Sequence, residues 1–294
     1  MIQRKIFGLR LRSGVLTLGE RTLVMGVLNL TPDSFSDGGK FLIVKRAVEH
    51  ALAMERDGAD IVDIGAESTR PGATEISAKE ELARLLPVLD VLRGKLKIPI
   101  SVDTQKAVVA EMALRAGAEI INDISGLRGE EHLAKVAERH GAALVLMHMR
   151  GTPRSMQRGP FARDVMKEVF AGLKKSAAVA RKFGTLRSRI VIDPGIGFGK
   201  SFAQNYELIA NLDQLAQLGY PIMVGTSRKG FLGATLARNG KPAPCEERIW
   251  GTAATVTASI LSGAHIVRVH DVAEMKQVAL VADCVLRPDS KSKH

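Results

Sequence analysis

Eight times between residues 22 and 270, a short run rich in Ile, Val and Leu gives way to a longer segment with helical spacing. The runs occupy residues 23–28, 60–64, 98–102, 119–124, 142–147, 189–192, 220–224 and 265–269. Each is too short for a helix and too continuously apolar for a strand with one wet face. Such runs suit strands buried on both faces, as in a parallel sheet. Parallel neighbours need a crossover of a dozen or more residues, and the intervening segments supply it. In one of them Val44, Ala47, Val48, Ala51 and Leu52 recur at helical intervals, and 107–116 and 133–138 behave alike. Gly58, Gly117, Gly141 and Gly263 each stand between a helical segment and the next run, the usual stop for a helix.

Eight strand–helix units in one chain predict a TIM (β/α)8 barrel. A doubly wound open sheet is the structural alternative, weakened because no G-x-G-x-x-G follows the first run. No linker or composition break divides the chain, so residues 1–294 are expected to form a single domain. Ahead of the barrel, residues 4–20 alternate in polarity around Arg12-Ser13-Gly14, which predicts a β-hairpin within 1–20, placed to cap one end of something larger. Residues 287–294 form a basic tail expected to be flexible.

Composition narrows the partners. The chain carries a formal net charge of +11, which suits an anionic ligand, but its Lys and Arg are scattered. Only 4% of residues are aromatic, too few for the stacking platforms of a single-strand nucleic-acid binder. Cys245 and Cys284 form no C-x-x-C pair, which argues against a zinc site or a disulfide framework. The start lacks the apolar core of a signal peptide, and no stretch approaches the roughly 18 apolar residues of a membrane span. A cytoplasmic protein with neither nucleic-acid nor membrane partner is expected.

In a barrel of this kind the chemistry sits at the carboxyl ends of the strands. The first run ends in Asn29 and opens an eleven-residue polar stretch, N-L-T-P-D-S-F-S-D-G-G, where two to six residues would suffice. The others end in Asp63, Asp103, Asn122 with Asp123, Met147-His148, Asp193, the segment Gly225 to Gly230 with Lys229, and Arg268 with His270. A single polar strand end is ordinary; a whole ring of them wants a polar ligand, because buried charges without partners are costly. Inward carboxylates and amides suit a nitrogen-rich heterocycle. Arg268 with His270 suits an anion. Asp63 and Asp123 also fit a structural role, each bonded to nearby backbone, and His148 fits a satisfied core histidine. A His or Cys metal cage is missing, whereas a loosely held Mg²⁺ bridging a diphosphate is compatible.

Taken in order, the strand ends resemble those of the dihydropteroate synthase family. The matching stretches are NLTPDSFSDGG at 29–39, DIGAESTRPG at 63–72, ISVDT at 100–104, INDISG at 121–126, LMHMRGTPRSM at 146–156, DPGIGFGK at 193–200, TSRKG at 226–230 and RVHDV at 268–272. The resemblance implies a homodimeric, Mg²⁺-dependent transferase of folate biosynthesis and a sulfonamide target. The implied reaction joins 6-hydroxymethyl-7,8-dihydropterin diphosphate to p-aminobenzoate and releases diphosphate. By the same resemblance Asp103, Asn122, Asp193 and Lys229 hold the pterin between Ile124 and Met147. Asn29, Arg268 and His270 take the diphosphate, with the metal at Asn29. Phe35, Thr69, Arg70, Pro71, Phe198 and Gly230 border p-aminobenzoate or ride on the loops above it. Asp37, Lys229, Arg268 and His270 are the implied catalytic residues. Gly230 departs from the family, which often has Ser or Arg there; a backbone N–H at a helix start is the expected substitute. The rival readings are a pterin-dependent methyltransferase on the same barrel, a non-catalytic pterin or nucleotide binder, and, from charge alone, a nucleic-acid binder.

Overall fold

The computed structural model describes residues 4–31, 40–68, 72–156 and 159–287. Strands β1 (Phe7–Arg10) and β2 (Val15–Leu18) form the antiparallel hairpin, with Phe7 opposite Leu18. Eight parallel strands follow: β3 (Leu23–Asn29), β4 (Ile61–Gly65), β5 (Ile100–Asp103), β6 (Ile120–Asp123), β7 (Ala143–Met147), β8 (Ile190–Asp193), β9 (Met223–Val224) and β10 (Ile266–Val269). Their order, β8-β7-β6-β5-β4-β3-β10-β9, is that of a barrel opened at one seam. A parallel bridge between Ile192 and Ile222 nearly closes that seam. There the Ile192 N–H donates to the Pro221 carbonyl at 3.0 Å. Strand β9 is shorter than the expected 220–224 because Pro221 has no N–H to give a ladder, although Ile222 still accepts from the N–H groups of His265 and Ile266.

Outside the strands lie helices α1 (Lys40–Arg56), α2 (Ala78–Leu92), α3 (Ala107–Arg115), α4 (His132–Arg139), α5 (Val165–Lys182), α6 (Phe202–Ala210), α7 (Gly230–Thr235), α8 (Ile249–Leu261) and α9 (Val272–Leu286). The periodic segments of the sequence fall inside α1, α3 and α4. Their boundaries follow local chemistry. Ser77 accepts the Glu80 N–H at the start of α2, and Ser201 with Gln204 forms a reciprocal capping box on α6. The basic tail beyond Arg287 lies outside the described residues.

Both faces of the strands are buried, which is why the runs read as continuous. One set, including Val24, Val62, Val102, Ile121, Leu144 and Val267, packs under the helices. The alternate set, Leu23, Met25, Ile61, Ile120, Val145, Val191, Met223 and Ile266, fills the barrel interior. Leu9, Leu11 and Leu18 of the hairpin belong to that interior cluster, so the hairpin plugs the end where the strands start. Polar contacts pin it there. Arg12 donates to the Ala118 carbonyl at 2.9 Å, and Glu119 accepts from the backbone and hydroxyl of Ser13. Arg4, almost fully buried, donates to Thr22 and the Ala264 carbonyl and pairs with Asp283 on α9.

Candidate active site

Successive inward positions on a strand are two residues apart. Continuing each apolar column by one step therefore reaches the open mouth of the barrel. Ile61 leads to Asp63, Ile120 to Asn122, Val145 to Met147, Val191 to Asp193 and Ile266 to Arg268, with His270 two residues further. Register supports the ring: Asp103 pairs Asn122, and Met147 pairs Asp193. The interior is thus apolar where the hairpin closes it and charged at the opposite end.

Arg268 spans the mouth. Its Nε donates to Asp63 Oδ2 at 2.7 Å and its Nη2 to Asp103 Oδ2 at 3.0 Å. The same Asp63 oxygen accepts from Asn122 Nδ2 at 3.0 Å. Asp63 is therefore not a partner of nearby backbone; it is a fully buried hub for two side chains of the ring. Asp123 does take the structural role, accepting the N–H groups of Ser125 at 2.8 Å and Leu127 at 2.6 Å. Asn122 Oδ1 and Asp63 Oδ1 remain buried with no partner among the described residues. Because Asn122 turns its amide nitrogen to Asp63, it is left with an acceptor to offer. Asp193 takes the Gly195 N–H on one oxygen at 2.7 Å. Lys229 holds its Nζ 4.0 Å from the Phe198 ring centroid and makes no hydrogen bond among the described residues.

Burial dominates the ionisation of this ring. It pushes Asp103 up to about 7 against the opposing pull of Arg268, and Asp193 up to about 6. It also lowers Lys229 to about 8, with help from Arg268. His270 falls to about 3 for the same two reasons and is neutral near pH 7. Its backbone N–H donates to Ser227 Oγ at 3.2 Å, and its Nδ1 lies 2.9 Å from that hydroxyl. A hydroxyl has one proton and two lone pairs, so Ser227 can accept the backbone N–H and still meet Nδ1 as donor or acceptor, according to the tautomer of the ring.

Ile124 and Met147, expected as walls, lie in one buried cluster with Phe198, Met149 and Met156, so Phe198 joins those walls as well as any border beyond them. Met149 and Met156 lie within the 146–156 stretch, where no residue-level signal marked them. Lys200 also escaped the sequence reading. Its ammonium is buried and donates to the carbonyls of His148 at 2.8 Å and Gly195 at 2.9 Å, with His148 Nδ1 at 3.1 Å. Its only advance signal was a lysine closing the otherwise uncharged P-G-I-G-F-G run. His148 is the satisfied core histidine that was expected; burial and Lys200 push it down to about 3.

Asn29 is half-buried at the end of β3, and its side chain has no partner among the described residues. No cluster of three His, Cys, Asp or Glu suited to a metal occurs among the described residues. Gly230 is exposed and begins α7, and a Cβ there would meet nothing within 4 Å. That helix has only six residues, a weak source of the N-terminal field expected to replace a side chain. Phe35, Asp37, Thr69, Arg70 and Pro71 lie outside the described residues.

Comparison with known proteins agrees in extent. A family profile described as "Pterin binding enzyme" matches residues 25–270. The dihydropteroate synthase of Synechocystis sp. is 48% identical over 92% of this chain and 92% of its own length. A structure of Xanthomonas albilineans dihydropteroate synthase with 4-aminobenzoic acid superposes with a TM-score of 0.88 at 40% identity, covering 96% of this chain and 99% of that one. One from Burkholderia cenocepacia, complexed with 7,8-dihydropteroate, gives 0.84 at 39% identity, covering 96% and 98%.

Proposed function

Since the chain belongs to the dihydropteroate synthases, and is thereby a transferase of folate biosynthesis, we propose how its own residues divide the work between a pterin diphosphate and p-aminobenzoate. The observation that carries the reading is the set of unmatched groups at the barrel mouth. Among the described residues Asn122 Oδ1 lacks a donor, Lys229 Nζ lacks an acceptor, and Asp103 and Asp193 each use one carboxylate oxygen on protein. A pterin edge presents N–H donors beside a ring oxygen and nitrogen, the complement of that set. The Ile124–Met147–Phe198 cluster offers it an apolar wall.

The reaction breaks the bond between the pterin methylene and the diphosphate oxygen and forms one from that methylene to the arylamine nitrogen. Positive charge grows on the pterin as the leaving group departs. Asp103 and Asp193 stabilise it when ionised, and Arg268 with His270 receives the departing oxygens. The arylamine is neutral at pH 7 and attacks without a strong base, losing one proton afterwards. Asp37 would receive it, and Phe35, Thr69, Arg70 and Pro71 would serve the second substrate, with Phe198 and Gly230 at its border. The amide oxygen of Asn29 is a hard donor that suits Mg²⁺, an ion that keeps several waters and takes few protein ligands. When bound, that ion would neutralise diphosphate charge.

We infer a homodimer from two neighbouring helices. Helix α8 contains no charged residue, and Trp250 near its start is 79% exposed. On α9 the charged Lys276 and Asp283 turn inward to Asp60 and Arg4; Glu274 is exposed in the first turn, and beyond it Leu280, Val281 and Val285 are exposed. Uncharged stripes of this kind on the outer ring suit burial against a second copy. No helix among the described residues is long and apolar enough to cross a membrane, in keeping with a cytoplasmic location.

The test is direct. Mixing the protein with the pterin diphosphate, p-aminobenzoate and Mg²⁺ should release diphosphate and form dihydropteroate, and chelation of Mg²⁺ should slow both. Absence of diphosphate release would overturn this division of roles among the ring residues.

A further inference from the structure

Arg228 has φ +58°, in the left-handed region that non-glycine residues rarely enter. Its backbone N–H and carbonyl and one edge of its guanidinium are all held. Its N–H donates to Thr252 Oγ1 at 3.1 Å, and its carbonyl accepts from Arg248 Nη1 at 2.9 Å. Its guanidinium grips both oxygens of Asp271, with Nε to Oδ2 at 3.1 Å. Thr252 lies on α8 and Arg248 just ahead of it, so the helix between β9 and β10 clamps the backbone while the loop after β10 clamps the side chain. On either side of this strained residue stand Ser227, which holds His270, and Lys229, which lies over Phe198.

We propose that Arg228 and Asp271 are a positioning pair that locks the loops after β9 and β10 into one unit, fixing Lys229 against His270 and Arg268. The inference rests on the division of roles proposed above. A side chain in the left-handed region is a local cost accepted only where surrounding structure over-determines it, and here it sits between Lys229 and Ser227, the residue that holds His270. The pair sends His270 and Lys229 towards opposite parts of one ligand, the diphosphate and the pterin ring. Loosening it should blur their separation without removing either group.

Glycine separates the two parts of the device, because it accepts φ +58° while lacking the guanidinium. Steady-state kinetics on the full chain should therefore compare Arg228→Gly, Asp271→Asn, the double variant and Arg228→Lys, with melting temperature measured alongside. The expected result is a rise in KM for the pterin diphosphate of roughly tenfold to a hundredfold in each of the first two. The double variant should be no worse than either single, as for partners in one interaction. Arg228→Lys should recover part of the loss, and melting temperature should change little. Unchanged KM in Arg228→Gly, or losses that follow melting temperature alone, would overturn the pair. A wild-type protein that releases no diphosphate would instead overturn the reading on which the pair rests.

Discussion

Asp63 shows where the sequence stopped being informative. Its position at a strand end was plain, but one carboxylate at a strand end looks like any other. Only the fold reveals that a single oxygen holds both Arg268 and Asn122, residues 205 and 59 positions away along the chain. Asp63→Asn removes the charge from that hub at nearly constant volume. With hydrogen bonds to a charged group contributing about 1.5–3 kcal/mol, KM for the pterin diphosphate should rise by roughly tenfold or more, measurable by initial rates; an unchanged KM would show that Arg268 and Asn122 hold their places without it. The ring also predicts a pH profile. Asp193 gains a proton as pH falls through about 6, and Asp103 through about 7, so both lose the charge that steadies the pterin. Lys229 loses its proton above about 8. The dependence of kcat/KM on pH should form a bell with an acid limb in the 6–7 region and an alkaline limb near 8. A profile flat from pH 5 to 9 would exclude these groups as the pterin's charged partners.

At the scale of elements, strands and most helices were legible because burial on two faces and helical spacing leave different periodicities. What was missed was short or set by proline. Helix α7 is six residues long and has no period to detect, and β9 is trimmed by Pro221. The loop after β8 carries its own constraint. Gly195 has φ +69°, and a Cβ there would lie 1.9 Å from the His148 carbonyl oxygen. Gly195→Ala should therefore cost about 1–3 kcal/mol or more, seen as a lower melting temperature together with weaker pterin binding by calorimetry. Gly230 is the opposite case, with open space around it and no left-handed φ. Gly230→Ser should leave the melting temperature unchanged and lower KM for p-aminobenzoate severalfold, by about 1 kcal/mol if its hydroxyl meets the carboxylate. A KM that rises would place the carboxylate elsewhere.

For the whole molecule, the barrel could be read from the sequence but the faces on which two copies would meet could not, since an uncharged helix face resembles a core face until the fold shows which side is covered. Val281, 66% exposed on α9, tests the proposed dimer. Val281→Glu should halve the mass found by sedimentation velocity; a wild-type monomer at micromolar concentration would remove the proposal. The hairpin has a consequence of its own. With strand side chains filling the interior and Leu9, Leu11 and Leu18 stoppered beneath them, the barrel offers its ligands a single rim. If the pterin occupies the depth beside Asp193 and Asn122, the arylamine queues behind it and cannot be trapped beneath it. The joined product then has to be withdrawn whole through the opening its halves entered, so the rim, and not the chemistry below, is the place where turnover would stall.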